Sequence, residues 1–121
     1  MPEKKSELDP NTLRSQCPIA NSLDIIGDRW TLLIIRDILI NGKHRFKEFQ
    51  DIPEAFPTNI LADRLKRLEK WGLIEKRAYQ EYPVRYAYHL TEKGSTLEPV
   101  LRAIEKWGTD IFPTSTATEE A

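Results

Sequence analysis

The stretch from Thr58 to Tyr88 constrains this chain more than any other. Between Thr58 and Trp71, Leu61, Leu65 and Leu68 recur at i, i+4 and i+7, which is one apolar stripe of a helix. Arg64, Lys66, Arg67 and Lys70 fall mostly off that stripe, and Gly72 suits the position just past the helix end. Two strand-like segments follow, Ile74 to Gln80 and Arg85 to Leu90, joined by a short turn with Tyr82-Pro83 at its tip. In the second, Tyr86, Tyr88 and Leu90 alternate with Arg85, Ala87 and His89, the period of a strand. A helix buried on one side and basic on the other, followed by an arginine-bearing ribbon, is how a winged helix meets DNA. The helix enters the major groove, and the ribbon reaches the backbone or the next minor groove.

A chain of 121 residues is expected to form one domain with loose ends. Its 40% apolar residues can form only a small core, which pairing with a second copy would enlarge. No apolar run reaches the roughly 18 residues of a membrane span, and Met1-Pro2-Glu3-Lys4-Lys5-Ser6-Glu7 lacks the apolar centre of a secretory signal. One cysteine excludes an intramolecular disulfide and argues against a structural zinc site. These features fit a soluble cytoplasmic protein. The net charge of −1 is distributed unevenly: Lys43 to His89 carries ten Lys and Arg against seven Asp and Glu, whereas the remainder is net acidic.

Residues 1–15 are polar, with Pro2 and Pro10, and read as a flexible arm; residues 113–121 read as a flexible tail around a domain over residues 16–112. Pro18 to Ile26 reads as a short helix with Ile19, Leu23 and Ile26 on one face and Gly27 as its stop. Asp28 should cap a longer helix through about Ile40, apolar nearly all round and ended by Asn41-Gly42. Lys43 to Phe46 is expected to add a short edge strand. Phe46 to Gln50 should form a short helix with Phe46 and Phe49 inward, and Ile52 to Pro57 a proline-rich turn. After the hairpin, Thr91 should cap a last helix from Glu92 to about Phe112, with Leu97, Val100, Leu101, Ile104, Trp107 and Ile111 as its stripe. Pro99 sits either near its first turn or at a kink. The expected fold is mainly α with a small β-hairpin: a winged helix-turn-helix with N- and C-terminal dimerisation helices.

Four sequence blocks follow one another in this order. The first is Cys17-Pro18-Ile19 leading into Ile26-Gly27-Asp28-Arg29-Trp30-Thr31-Leu32-Leu33-Ile34-Ile35-Arg36-Asp37. Arg45-Phe46-Lys47-Glu48-Phe49 is the second. Asn59-Ile60-Leu61-Ala62-Asp63-Arg64-Leu65 with Leu68-Glu69-Lys70-Trp71-Gly72-Leu73-Ile74 makes the third. Pro83-Val84-Arg85-Tyr86-Ala87-Tyr88-His89-Leu90-Thr91-Glu92-Lys93-Gly94, with Trp107 downstream, is the fourth. Together, in this order, the four blocks resemble the HxlR-type transcriptional regulators of bacteria, relatives of the MarR regulators, many of which carry a small residue such as Gly before the recognition helix, where this chain has Ala55-Phe56-Pro57. The resemblance implies a homodimer that binds double-stranded DNA at a palindromic operator. The mechanism expected of such a dimer is that an effector, a small molecule or modification of Cys17, shifts the spacing of the two recognition helices.

Candidate DNA contacts follow residue by residue. Asn59 can pair with adenine, and Thr58 can either bond a base or cap the helix. Arg64 could reach a guanine or a phosphate, or lie beside Glu69 on a solvated face; the family pattern favours DNA. Arg67 is a weaker candidate, with Lys66 and Lys70. Arg85 and Arg77 in the wing are candidates for the minor groove or phosphates, with cross-strand pairing to Glu75 or Glu81 as the alternative. Arg45 and Lys47 suit phosphates, which position without specifying. Cys17 resembles the N-terminal cysteine through which some family members sense quinones, aldehydes or oxidants, and its alternative role is that of a small buried apolar residue. With no second cysteine in the chain, a bond between the Cys17 residues of two subunits is conceivable. Trp30, Trp71 and Trp107 are expected in the core or the dimer contact. His44 and His89, without further ligands at metal-binding spacing, are expected to be structural or exposed, so neither metal nor cofactor is implied.

No GxxxxGK, HExxH, GxSxG or CxxC pattern is present, so an enzyme is not expected. The competing reading is a winged-helix protein-interaction module without specific DNA binding. Such modules usually lose the basic residues of the recognition helix and wing, which this chain keeps at Arg64, Arg67, Arg77 and Arg85.

Overall fold

The computed structural model describes residues 15–113. Apart from Ser15 and Pro113, the expected arm and tail lie outside the described residues. In chain order the elements are α1 (Pro18–Ile26), α2 (Thr31–Leu39), α3 (Phe46–Gln50), α4 (Thr58–Lys70), β1 (Ile74–Glu81), β2 (Val84–Leu90), α5 (Glu92–Ser95) and α6 (Glu98–Ile111). The strands form one antiparallel hairpin, with Ile74 opposite Leu90, Arg77 opposite Ala87 and Gln80 opposite Arg85. A register shift between Ala78 and Gln80 marks a bulge near the tip. This is a winged helix-turn-helix.

The core joins the three periodicities read from the sequence. Ile34, Ile35 and Ile38 of α2, Phe49 of α3, and Leu61, Leu65 and Leu68 of α4 are buried together with Trp71, Leu73 and Ile74. Full burial of such side chains stabilises the fold by about 1.5–3 kcal/mol each relative to exposure. Trp30 stacks on Phe56, with ring centroids 4.5 Å apart, and closes the core beside the turn before α4. Of the three tryptophans, Trp30 and Trp71 thus serve the core, whereas Trp107 is exposed on α6.

Helix α4 ends as its sequence requires. Gly72 takes φ +79°, its N–H donates to the Glu69 carbonyl at 3.0 Å, and the Leu73 N–H donates to the Leu68 carbonyl at 2.9 Å. That pair of bonds is the Schellman motif, and it aims the chain directly into β1. At the start of α4 the N-cap is Pro57, which has no side chain able to cap, and Thr58 is the first helical residue. Thr58 therefore does not cap the helix.

Two expectations need correction. The last helix is two helices, α5 and α6. In a continuous helix the Pro99 ring would meet the Ser95 carbonyl, four residues back, and Pro99 has no N–H to donate. The chain breaks after Ser95 and restarts with Pro99 in the first turn of α6, where proline is tolerated. The Thr91 cap is present: its hydroxyl oxygen accepts the Gly94 N–H at 3.0 Å. Secondly, Lys43 to Phe46 forms no strand. His44 makes a single strand-like exchange with Tyr88, whose N–H donates to the His44 carbonyl at 2.7 Å. His44 Nδ1 donates back to the Tyr88 carbonyl at 2.9 Å, taking the place of a second backbone bond.

The terminal helices are poorly covered. Helix α1 buries no residue fully, and Ile19 and Leu23 stand 71% and 57% exposed. Helix α6 buries only Leu101, while Val100, Ile104, Trp107 and Ile111 recur on one face and are all exposed.

Candidate nucleic-acid interface

The turn that launches α4 is fixed by charge. Arg36 of α2 grips Glu54 through both guanidinium nitrogens, Nη1 at 3.0 Å and Nη2 at 3.2 Å, a bidentate pairing. The Arg36 hydrogen bonds hold the Glu54 carboxyl below its usual range. Arg36 Nε also donates to the buried Asp37, whose Oδ1 takes a second bond from Asn41 at 2.9 Å. The next residue, Ala55, adopts φ +59°, a conformation that suits glycine. The departure at Ala55 noted in the sequence thus falls at a left-handed residue, and the chain still enters α4 in place.

From that turn α4 presents Thr58 and Asn59 at its exposed N-terminus. The Thr58 hydroxyl oxygen accepts a bond from Gln50 Nε2 of α3 at 2.8 Å, so the ends of the two helices are linked. Asn59 and Lys66 are exposed. Arg67 is half-buried, 5.0 Å above the Trp71 ring and 3.9 Å from Asp63.

Arg64 does not neighbour Glu69. Its Nε donates to Asp28 Oδ2 at 2.8 Å, and its Nη1 donates to Asp63. The side chain is only 17% exposed. The N-cap of α2 is Trp30 and not Asp28 as expected, but Asp28 supports the helix start from two residues upstream: its Oδ2 accepts the Trp30 and Thr31 N–H groups at 3.0 and 3.2 Å, and the Thr31 hydroxyl donates to its Oδ1. Burial pushes the Asp28 carboxyl up, but the bonds from Thr31, Arg64 and Trp30 together hold it below its usual range.

An open groove runs between α3 and the wing, and here three predicted phosphate contacts converge. Arg45 and Lys47 come from α3 and its N-cap, and Arg85 from β2, with Gln50, Tyr79 and Tyr86 beside them. Arg45 lies 4.4 Å over the Tyr79 ring, a cation–π contact that orients the guanidinium. Glu48 and Asp51 also line the groove. The Glu48 carboxylate is engaged by the His44 and Arg45 N–H groups at 2.9 and 3.0 Å, which hold its carboxyl below the usual range. Arg85 lies opposite Gln80, not beside Glu75 or Glu81. Arg77 does bind Glu75, but along its own strand and not across the hairpin. Neither cross-strand pairing considered from the sequence forms.

Sequence reasoning missed three participants. Gln50 and Tyr79 carry no local signal, since their partners lie on other elements. Asp28 was read as a cap alone, and its bond to Arg64 spans 36 residues. His44 and His89, isolated in sequence, stack with ring centroids 4.4 Å apart at the root of the wing. Burial and the nearby His44 and Arg77 charges push the His89 imidazole below its usual value, against a smaller opposing effect of Glu75. Cys17 stands exposed at the N-cap of α1 and is not part of the protomer core.

Comparison with known proteins agrees with this geometry. The profile of the family described as HxlR-like helix-turn-helix matches residues 25–116. The chain is 39% identical over 92 residues to YdeP of Bacillus subtilis, an uncharacterized HTH-type transcriptional regulator, covering 76% of this chain and 71% of YdeP. It is 35% identical over 108 residues to the B. subtilis HTH-type transcriptional regulator YodB, covering 88% and 96% of the two chains. The structure of the redox regulator HypR in its oxidized form superposes with a TM-score of 0.70 at 35% identity, over 81% of this chain and all of that one. Among the described residues no helix is long and apolar enough to cross a membrane. The chain belongs to the HxlR-like helix-turn-helix family of transcriptional regulators.

Proposed function

We infer that the chain is a sequence-specific DNA-binding regulator that acts in the cytoplasm as a homodimer on an operator with two-fold related half-sites. The observation that carries this reading is the convergence of Arg45, Lys47 and Arg85 from separate elements on one groove, beside the exposed N-terminus of α4. In this reading Thr58 and Asn59, exposed at the start of α4, meet base edges, where Asn pairs with adenine and Thr with a base or a thymine methyl. The groove cations and Arg77 take phosphates that set the register, and Arg67 serves the flank of α4. Arg64 supports the same surface from its bond to Asp28.

The uncovered apolar faces of α1 and α6 support dimerisation. Two copies of α4 related by a two-fold axis then address half-sites about 34–36 Å apart, one turn of DNA. Modulation is assigned to a small molecule, or to oxidation or electrophile modification of Cys17. The exposed thiol and the redox regulator among the relatives support the second route.

Selection of binding sites from random duplex DNA, followed by the salt dependence of the best site, tests the reading. An enriched inverted repeat with salt-sensitive affinity is expected. Weak binding without enrichment, from both reduced and oxidised protein, would instead favour a protein-interaction module.

A further inference from the structure

Helices α2 and α4 share an apolar contact, and Asp28, three residues before α2, adds a polar one to α4. Ile34, Ile35 and Ile38 meet Leu61, Leu65 and Leu68 in the shared core. Burial of that stripe sets which face of α4 turns inward, and a directional contact beside it sets the rotation of the helix more finely. The Asp28–Arg64 bond is directional and charge-assisted. One carboxylate oxygen, Asp28 Oδ2, serves both the first turn of α2 and Arg64 Nε at the middle of α4. The two side chains are 27% and 17% exposed, so the pair is shielded yet not sealed from water. An ion pair with that much solvent contributes little net stability. Its effect is geometric.

We propose that Asp28 is a positioning residue for DNA reading: by holding Arg64 Nε it sets the rotation of α4, and with it the register in which Thr58 and Asn59 meet base edges. The proposal rests on the DNA-reading assignment of α4 made above. Nε is occupied by Asp28, so Arg64 cannot use the Nε edge of its guanidinium for side-on recognition of a base. The remaining N–H groups are on Nη1, which is also bound to Asp63, and Nη2. Arg64 therefore acts on specificity mainly through the placement of its helix.

Asp28→Asn separates the two roles of the carboxylate. Asparagine keeps an oxygen that caps a helix about as well as aspartate, but loses the charge that holds Arg64. With the selected operator and a random duplex as probes, D28N is expected to lower the affinity ratio of the two about tenfold, the scale of one base contact. Random-duplex affinity and the salt slope should stay at their wild-type values, since no phosphate contact is lost. The double variant D28N/R64A should discriminate no worse than R64A. A residue with a merely structural role would lower the melting temperature and both affinities together.

Wild-type discrimination that D28N leaves intact, or additive losses in the double variant, would overturn this proposal alone. A wild type that does not discriminate would overturn the DNA-reading assignment and this proposal with it. If D28N does not fold, Arg64→Lys carries the test, because lysine keeps the charge without the guanidinium Nε. It should lose discrimination at an unchanged salt slope, and an unchanged ratio would overturn the proposal.

Discussion

Truncation of Trp107 to alanine should dissociate the proposed dimer while leaving the protomer folded. The indole is 60% exposed and contacts Phe112 edge-on at 6.0 Å, so little of the protomer core depends on it. An aromatic of this kind buries roughly 150–250 Å² when covered, and about 100 Å² of apolar surface is open to a partner at this exposure. At about 25 cal/mol per Å² that area contributes ~2.5 kcal/mol per copy. Two-fold symmetry counts it twice, giving an upper bound of ~5 kcal/mol per dimer. Incomplete cover and the cost of ordering the interface reduce this, and about half is a reasonable expectation. W107A should thus weaken dimerisation by ~2.5 kcal/mol, roughly 60-fold in Kd. Sedimentation velocity over a concentration series reads this constant directly, and far-UV circular dichroism checks that helix content is kept. A W107A protein that dimerises as tightly as the wild type would refute the reasoning, because it would remove the stripe of α6 from the interface.

Four further outcomes follow from the geometry. A Cβ on Gly94 would lie 1.9 Å from the Leu73 carbonyl oxygen, so Gly94→Ala should destabilise the fold by about 1–3 kcal/mol or more in urea unfolding. Ala55→Gly should be neutral or stabilising by up to ~1 kcal/mol, because relief of the left-handed conformation outweighs the entropy of a freer unfolded chain; a loss beyond that range would contradict the assigned backbone. His89 is held below the unfolded value of about 6.5, so its contribution is fully present above that pH and is lost as the pH falls below it. Urea midpoints should therefore drop as the pH falls below about 6.5, and His89→Gln should flatten that drop. Arg85→Gln should weaken binding to all duplexes alike and lower the salt slope by about 1; a change confined to one base position would make Arg85 a base contact instead.

Much of this architecture was legible because it is periodic. The i, i+4, i+7 leucines of α4, the glycine after it and the alternation of β2 each follow from local geometry, and each element formed where expected. The position of Pro99 already held the break between α5 and α6, since its ring and missing N–H forbid a continuous helix. The pairings of charged groups were less legible. Arg64 finds Asp28 rather than Glu69, Arg36 finds Glu54, and Arg77 finds Glu75 along its strand. Long flexible side chains choose partners by tertiary proximity, which no spacing rule encodes. The groove itself exists only once α3 and the wing are folded against each other, so Tyr79 and Gln50 could not be named in advance.

The most direct measurement of the central claim is the affinity of the protein for its selected operator with 5 base pairs inserted between the half-sites. Two recognition helices fixed on one face of the duplex by a symmetric dimer cannot follow half a turn of added twist. The account predicts that affinity falls to that of a single half-site. Unchanged affinity would contradict it, because each copy would then be reading DNA independently of the other.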